Sequence, residues 1–367
     1  MKNTAKLEQL TSLRFFAALM IVLHHAEGLF GIGQAPVNLG QGVSFFFVLS
    51  GFILAFVYPR LDSGHEIRGF WLARFARIWP AYLATFLFAF VLLPFQWNSL
   101  TGAAHLAMLQ SWLPLSVFYF SYNAVAWSIS TEAFFYLAFP VLIRDWARTW
   151  RSKLAATIAL LIALAVVTNA SHLPDYDGTD GWKVTVHGLI YVNPLARLLE
   201  FVTGMVLARF WAGTRSSSAA WSVAEIAALA ACGAAMHYTP KFAEVIRAPL
   251  GDAAAMWMIH SGSFVAFAAL VFVMAQGAGA VSRLLRLRPF VVLGELSFSM
   301  YLLHQTVFSV WRTNGWSQGI MGAALFFSAL LGLSALVWRV VEMPARRRIV
   351  ALAAPRRETP EPSAATT

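Results

Sequence analysis

Arg14 and His25 stand eleven residues apart in the apolar stretch near the start of the chain. In an α-helix, eleven steps of about 100° bring both side chains to within about 20° of one face, about 16 Å apart along the axis. An imidazole titrates near neutrality and can remove a proton from a reacting hydroxyl. The spacing therefore allows a functional role for both residues along one face of the helix, with Arg14 near the cytoplasmic end and His25 deeper. The alternative is a snorkelling arginine and a hydrogen-bonded structural histidine.

A second group of polar residues lies in two later apolar stretches. Ser128 and Glu132 are one helical turn apart, and a carboxylate at membrane depth needs a cation or a proton. Ser297, Tyr301 and His304 follow at i, i+4 and i+7 and share one face of a helix. Polar groups on these faces indicate a wet or substrate-lined interior, and we expect Ser128, Glu132, Tyr301 and His304 to line it.

Paired cationic residues occur at two further places. Arg74 and Arg77 are neighbours on a short amphipathic stretch, and two guanidinium groups on one face suit a polyphosphate. Anchoring to lipid headgroups is the alternative for these two. Arg197 and Glu200, also three residues apart, are predicted to form a buried pair that fixes helix packing.

Several reaction classes lack their signatures. The chain contains no phosphate-binding G-x-x-x-x-G-K-[ST] loop, no G-x-S-x-G nucleophile elbow and no H-E-x-x-H pair, which removes support for ATP hydrolysis and zinc hydrolysis. The single cysteine, Cys232, allows no intrachain disulfide and no iron–sulfur cluster. We therefore predict neither a metal site nor a tightly bound cofactor.

The composition predicts the elements that must hold these residues. Of 367 residues, 59% are hydrophobic and 12% are charged, with a mean hydropathy of +0.65, so most of the apolar surface must face lipid or other membrane helices. We predict an all-α, polytopic membrane helix bundle. Segment 100–120 is apolar but contains Pro114, which favours a re-entrant or interfacial piece. About ten spans are predicted: 12–30, 40–58, 79–97, 123–143, 154–171, 187–209, 219–236, 253–275, 290–311 and 319–340.

The basic residues orient this bundle. With the N-terminus in the cytoplasm, 21 of the 27 Lys and Arg residues fall on the cytoplasmic side and four on the opposite side. This asymmetry is the positive-inside pattern, and it explains the net charge of +10 without a nucleic-acid partner. Both termini are predicted to be cytoplasmic. Residues 1–348 form the transmembrane domain, and residues 349–367 are predicted to be a disordered tail.

Seven blocks in the chain resemble, in order, those of the acyltransferase-3 family of membrane O-acyltransferases. They run from residue 12 to about residue 348, and together they are specific although each alone is weak. The blocks are SLRFFAALMIVLHH, GVSFFFVLSGFILA, WLARFARIWPAYL, WSISTEAFFYLAFP, RLLEFVTGMVLA, LGELSFSMYLLH and VVEMPARR.

The resemblance implies a substrate pair and a location. The donor is acetyl-CoA or another acyl-CoA that enters from the cytoplasm as a co-substrate. The acceptor is a hydroxyl of a carbohydrate or lipid-linked glycan, and segments 98–122 and 171–187 are expected to contact it. The protein is expected in the bacterial inner membrane, in contact with membrane lipids. By motif position, Arg14 and His25 are the catalytic pair, and Arg74 and Arg77 bind the donor. The polar cavity residues named above are then expected to orient His25 or the acceptor.

Three alternatives stay open at this stage. The same chemistry could acylate a small metabolite or a lipid. His25 could act as a general base or become transiently acylated. From a different class, a proton-coupled transporter would also carry Arg, His and Glu residues inside its spans.

Overall fold

The computed structural model describes residues 7–31, 33–176, 178–211 and 218–353. These ranges are almost entirely helical, with a single β-bridge between Leu115 and Val184. Two turns of π-helix, His187–Val192 and Trp338–Glu342, interrupt the α-helical pattern. The α-helices are α1 (Glu8–Ala26), α2 (Gly42–Val57), α3 (Gly64–Leu92), α4 (Ser99–Leu106), α5 (Ser116–Tyr119), α6 (Trp127–Ile143), α7 (Trp146–Ala170), α8 (Leu198–Phe210), α9 (Ala219–Ser261), α10 (Phe264–Gln276), α11 (Ala280–Leu285), α12 (Arg288–Thr313), α13 (Gly319–Val337) and α14 (Met343–Ala353).

Helical stretches that could cross a membrane confirm the predicted class. By length and composition, six qualify within the described ranges: 39–57, 64–92, 124–143, 146–170, 219–276 and 319–351. The longest of these covers two predicted spans. The other predicted spans lie on α1, α8 and α12, which are shorter or carry more polar residues. The protein is an all-helical membrane protein, while the count of ten spans and the cytoplasmic position of the termini stay predictions.

Two predicted helix boundaries differ from those in the structure. Helix α3 begins at Gly64, well before the predicted start at residue 79, because Ser63 and Glu66 form a reciprocal capping box. The predicted continuous span 187–209 is broken, since the π-helical turn ends at Val192 and α8 begins only at Leu198. Pro194 lies in this break and cannot donate the hydrogen bond that a continuous helix requires.

The predicted pair of spans 219–236 and 253–275 also has different limits. Helical structure continues from α9 to Ser261, with an interruption at Gly251, whose φ of 84° lies outside the helical region. The side-chain amide of Asn169 donates to the carbonyl of Leu250 beside this interruption and links α7 to α9. The second predicted span therefore comprises the end of α9 together with α10.

The segment around Pro114 forms short helices, as expected of a broken piece. Helices α4 and α5 are separated by a single 3-10 turn, Gln110–Trp112. The amide of Val117 donates to the carbonyl of Gly181 at 3.1 Å. The two segments predicted to meet the acceptor, 98–122 and 171–187, are therefore in contact with each other.

Helices α2 and α8 cross at very short range in the centre of the bundle. A Cβ atom on Gly51 would lie 1.9 Å from the carbonyl oxygen of Phe201, and one on Gly204 would lie 2.0 Å from that of Val48. Only glycine permits two backbones to approach so closely.

The predicted pair of Arg197 and Glu200 lies beside this crossing. Both side chains are fully buried, and their charged groups are 2.9 Å apart. Arg197 also donates to the Ser261 hydroxyl at 2.5 Å, which connects the start of α8 to the end of α9. The pair has a clear structural role, because each charge would otherwise be buried without compensation.

The predicted domain boundary at residue 348 falls within α14, which continues to Ala353. The remainder of the predicted tail, 354–367, lies outside the described residues, as do Lys2, Lys6 and Arg215 from the basic set.

Candidate active site

Helices α1, α2, α3, α6 and α12 surround a cavity of about 80 Å³, which has room for several water molecules. Its wall combines apolar side chains with three guanidinium groups and one carboxylate, so the cavity carries excess positive charge. The polar side chains that line it are Arg14, Ser50, Arg74, Arg77, Ser128, Glu132, Tyr136, Ser297 and Tyr301. Six of the eight residues singled out from the sequence are in this set, and they come from four different helices.

Two of the arginines have unused hydrogen-bond donors. The Nε atoms of Arg14 and Arg74 are buried and have no partner within the described ranges. The guanidinium of Arg74 lies against the rings of Tyr58, Phe70 and Tyr136, with its carbon 5.6 to 5.9 Å from their centres. A buried donor without an acceptor is costly, so both arginines are prepared to bind an anionic group.

Arg77 is paired within the protein. It forms an ion pair with Glu342, which is buried and also accepts a hydrogen bond from Ser299 at 3.2 Å. A phosphate-binding role for Arg77 therefore requires that the guanidinium be shared with this carboxylate or released from it. Glu342 was not among the residues picked out from the sequence, although a carboxylate in the apolar run V-V-E-M-P is a signal that could have indicated it.

The Glu132 carboxylate accepts hydrogen bonds from hydroxyl groups and forms no ion pair within the described ranges. Its Oε1 accepts from Tyr136 at 2.5 Å and from Ser50 at 3.3 Å. Within the described ranges no Lys, Arg or His nitrogen lies within 4 Å of its carboxylate, although arginines line the same cavity. The carboxylate therefore offsets part of the positive charge without neutralising a particular arginine.

Ser128 and Tyr301 close one part of the cavity wall by contacting each other. Their hydroxyl groups are 2.8 Å apart, and each also lies within hydrogen-bond distance of the Val125 carbonyl. This contact joins α12 to the start of α6.

His25 and His304 lie together, outside the set of residues that line the cavity. His304 is buried, and its Nε2 is 3.1 Å from Nδ1 of His25. The Nδ1 of His304 lies 2.5 Å from the carbonyl oxygen of Tyr301, and the Nδ1 of His25 lies 3.0 Å from that of Ile21. His304 therefore does not line this cavity, and its contact with His25 accords with the other part of the expectation, that it orients the base; its role stays a prediction.

The carbonyl groups determine which ring nitrogens carry hydrogen. A carbonyl oxygen only accepts, so Nδ1 of each neutral imidazole must be the protonated nitrogen. Nε2 of His304 is then an acceptor for the His25 N–H, and Nε2 of His25 keeps its lone pair. This arrangement leaves His25 with an unprotonated nitrogen that can accept a proton, while the other nitrogen is held in place.

Helix α1 explains why Arg14 and His25 do not touch. It is continuous from Glu8 to Ala26, so the distance expected from the eleven-residue spacing is retained. Arg14 reaches the cavity, and His25 reaches His304. Tyr301 connects the two regions, because its hydroxyl lines the cavity and its carbonyl accepts from His304.

His105 is a buried histidine outside the predicted spans. Its ring packs against those of Tyr82, Phe86 and Tyr122, and burial lowers its pKa to about 3. It therefore remains neutral at physiological pH and has the character of a core residue. Across the described part of the chain, no three His, Cys, Asp or Glu side chains are grouped as a metal site would require.

Comparison with known proteins links this site to one family. The sequence profile of the acyltransferase-3 family, described as an acyltransferase domain, matches residues 7–339. The acyltransferase MdmB of Streptomyces mycarofaciens is 31% identical, and the alignment covers 96% of both chains. The O-acetyltransferase OatA of Staphylococcus aureus is 23% identical over 92% of this chain, which spans 57% of the length of OatA. No solved structure matches the chain significantly.

Proposed function

This chain belongs to the acyltransferase-3 family, and we propose that it moves an acyl group, most simply acetyl, from acyl-CoA to a hydroxyl of a carbohydrate. Its class, a membrane O-acyltransferase, follows from the family and from relatives named as acyltransferases. The donor and acceptor are our proposal. The observation that carries the mechanism is the contact of His25 Nδ1 with the Ile21 carbonyl and with Nε2 of His304, which leaves Nε2 of His25 as the free base nitrogen beside a cavity with excess positive charge.

The donor is proposed to enter from the cytoplasmic side. Its phosphates would bind Arg74 and Arg14, whose Nε donors lack partners, and would compete with Glu342 for Arg77. The acyl-carrying arm would then extend past Tyr301 toward His25. The Ser128–Tyr301 contact closes one part of the cavity wall, and it is proposed to separate when the arm enters.

The chemical step needs one base and one leaving group. Nε2 of His25 removes the proton from the acceptor hydroxyl, and the oxygen attacks the thioester carbonyl carbon. The carbon–sulfur bond breaks, and the CoA thiolate takes up the proton from the His25 imidazolium. Throughout, Nδ1–H of His25 stays bonded to Ile21 and His304, which fixes the ring orientation.

A transient acyl group on His25 would use the same Nε2 lone pair. A rapid quench into denaturant at neutral pH during turnover with radiolabelled acetyl-CoA distinguishes the two routes, because an acyl-imidazole is lost in acid and only the covalent route leaves label on the protein.

The acceptor is proposed to be a unit of a cell-envelope or exported polysaccharide at the bacterial inner membrane. OatA is named an O-acetyltransferase, which is consistent with acetyl as the transferred group in a relative. A small metabolite or a lipid acceptor would use the same residues. The transporter alternative is not favoured, because the family and the relatives are acyltransferases.

The test combines the purified protein with envelope analysis. Wild type should release free thiol from acetyl-CoA when acceptor is present, and envelope glycans of the producing strain should carry an acetyl-sized mass that is lost on deletion. His25→Ala should lower thiol release by about 10²-fold or more. The matched control is His65→Ala, since His65 is exposed at the start of α3.

His65→Ala should stay within about twofold of wild type, because an exposed side chain away from the site contributes little. Equal activity of His25→Ala and wild type would contradict the assigned base. Absence of thiol release from wild type with every acceptor pool would contradict the proposed reaction.

A further inference from the structure

A second opening lies near the end of α2 and shares no lining residue with the cavity. The chain segments that form it are the loop after α2, the turn between α6 and α7, and the end of α8. We call it the basic crevice, and its volume is about 570 Å³. The charged residues that line it are Arg60, Asp62, Arg144, Asp145, Arg148 and Arg209.

Helix α2 contributes residues to both openings. Leu54 lines the cavity and the next residue, Ala55, lines the basic crevice. Successive residues of a helix point about 100° apart, so the two openings lie against different faces of the same helix. The basic crevice is therefore a separate site.

The charges in the basic crevice are not balanced. Four arginines face two aspartates, and the only ion pair recorded among these six residues joins Arg144 to Asp145 at 3.9 Å. Both partners of that pair are mostly exposed, so it contributes little. The other three guanidinium groups have no carboxylate within 4 Å in the described part of the chain. They are Arg60, Arg148 and Arg209.

Helix α7 adds further donors. Its first residues, Trp146 and Ala147, line the basic crevice, and Asp145 before them adopts a left-handed conformation in which its side chain does not cap the helix. The start of a 25-residue helix carries partial positive charge and free N–H groups. Trp146 is only 7% exposed, and its indole Nε1–H has no acceptor within the described ranges.

We propose that the basic crevice binds a phosphate group. Guanidinium groups and a helix start together favour a tetrahedral anion with several acceptor oxygens over a single carboxylate. Two molecules can present such a group at this end of the bundle: an anionic phospholipid through its headgroup, or CoA through the phosphate on its ribose. The lipid source does not depend on the proposed acyl transfer.

The test uses full-length protein in detergent and compares two charge-neutralising variants. Arg144→Gln/Arg148→Gln removes two guanidinium groups from the basic crevice. The control, Arg347→Gln/Arg348→Gln, removes the same charge from exposed positions on α14. All four side chains are exposed, so both variants should fold, and size-exclusion chromatography verifies this.

Binding is measured by thermal stabilisation, because a ligand that binds only the folded state raises the apparent Tm. One arm compares phosphatidylglycerol with phosphatidylcholine in mixed micelles. The other arm compares CoA with dephospho-CoA, which lacks the ribose phosphate. The control variant should bind phosphatidylglycerol better than phosphatidylcholine, and CoA better than dephospho-CoA, to the same extent as wild type.

The preference is the affinity for phosphatidylglycerol relative to phosphatidylcholine, or for CoA relative to dephospho-CoA. A drop of about tenfold in the lipid preference of the crevice variant, but not of the control, supports the lipid headgroup. The same drop in the CoA preference supports the nucleotide phosphate. Either result supports a phosphate site. Two results would overturn the proposal. If both variants keep the wild-type preferences in both arms, the crevice arginines do not bind the phosphate. If both variants lose them equally, total charge explains the binding.

Discussion

At the scale of single residues, the contact between His25 and His304 joins positions 279 residues apart. The Tyr301 and Ile21 carbonyls fix both Nδ1–H groups, and this leaves Nε2 of His25 as the available base. The arrangement resembles the general design in which a catalytic base is oriented by a third group.

His304→Ala should lower kcat about tenfold to hundredfold and leave the KM for acetyl-CoA nearly unchanged. This loss is part of the rate enhancement that a positioned general base provides. The physical reason is that His25 loses one of the two acceptors that hold its Nδ1–H, while the Ile21 carbonyl remains. Steady-state thiol release measures both constants. His304→Gln should recover part of kcat, because its amide oxygen can accept near the former position of Nε2. A rise in KM without a fall in kcat would contradict the positioning role.

The ion pair of Arg77 and Glu342 also belongs to this scale. Arg77→Ala leaves a carboxylate that is 3% exposed without its partner, at an expected cost of about 3–5 kcal/mol. The thermal midpoint in detergent should fall accordingly. The double variant Arg77→Ala/Glu342→Ala should regain part of the loss, because no buried charge remains unpaired. A double variant less stable than Arg77→Ala would show that the two groups are not coupled in this way.

At the scale of helices, the crossing of α2 and α8 holds the bundle around the site. The shared contact places Phe47 of α2 over the guanidinium of Arg197, 5.2 Å from ring centre to carbon, and brings the cavity-lining face of α2 toward α1 and α6. Because both backbones meet at glycines, this crossing does not tolerate a side chain at the point of contact.

Gly51→Ala should strongly reduce the yield of folded protein, since its Cβ would lie 1.9 Å from a backbone oxygen that cannot move independently. The control is Gly233→Ala in α9, where a Cβ would meet nothing within 4 Å. This change should raise stability by about 0.5–1 kcal/mol, because alanine favours helix. Fluorescence-detected size-exclusion chromatography and Tm measure both. Similar yields for the two variants would contradict the close crossing.

At the scale of the whole molecule, polar contacts join helix ends that the charge pattern assigns to the same side. Gln9 at the start of α1 donates to the Met274 carbonyl near the end of α10. At the opposite end, Asn38 donates to the Ile259 carbonyl of α9. The bundle thus has two distinct ends, with Arg14, Arg74 and Arg77 toward the first.

Labelling with a membrane-impermeant maleimide tests which end is cytoplasmic. Lys241→Cys should react in intact cells, and Arg148→Cys should react only after permeabilisation, because the positive-inside pattern places them on opposite sides. Wild type supplies the background control, since Cys232 is 4% exposed and should not react. The reverse labelling pattern would invert the topology, and labelling of both positions in intact cells would contradict the alternation of loops.

The sequence by itself determined the helical membrane class, the family and the spacing along each helix. Arg14 and His25 share one face of α1 because the helical repeat is a local property of the backbone. The spacing of Ser297, Tyr301 and His304 on α12 follows in the same way. The hydropathy pattern predicted where the apolar stretches lie along the chain. It misplaced the start of α3 and missed the break at Pro194, because capping side chains and proline decide where helices begin and end.

Only the tertiary structure decided which of these faces meet. Nothing local indicates that His304 contacts His25 rather than the cavity, or that Arg77 pairs with Glu342, which is 265 residues away. Such contacts depend on which helices pack together and at what depth, and the pairings that set these two are α1 with α12 and α3 with the π-helical turn Trp338–Glu342. The sequence therefore located the chemical groups along the helices, and helix packing determined their partners, since a hydrogen bond requires an approach to about 3 Å.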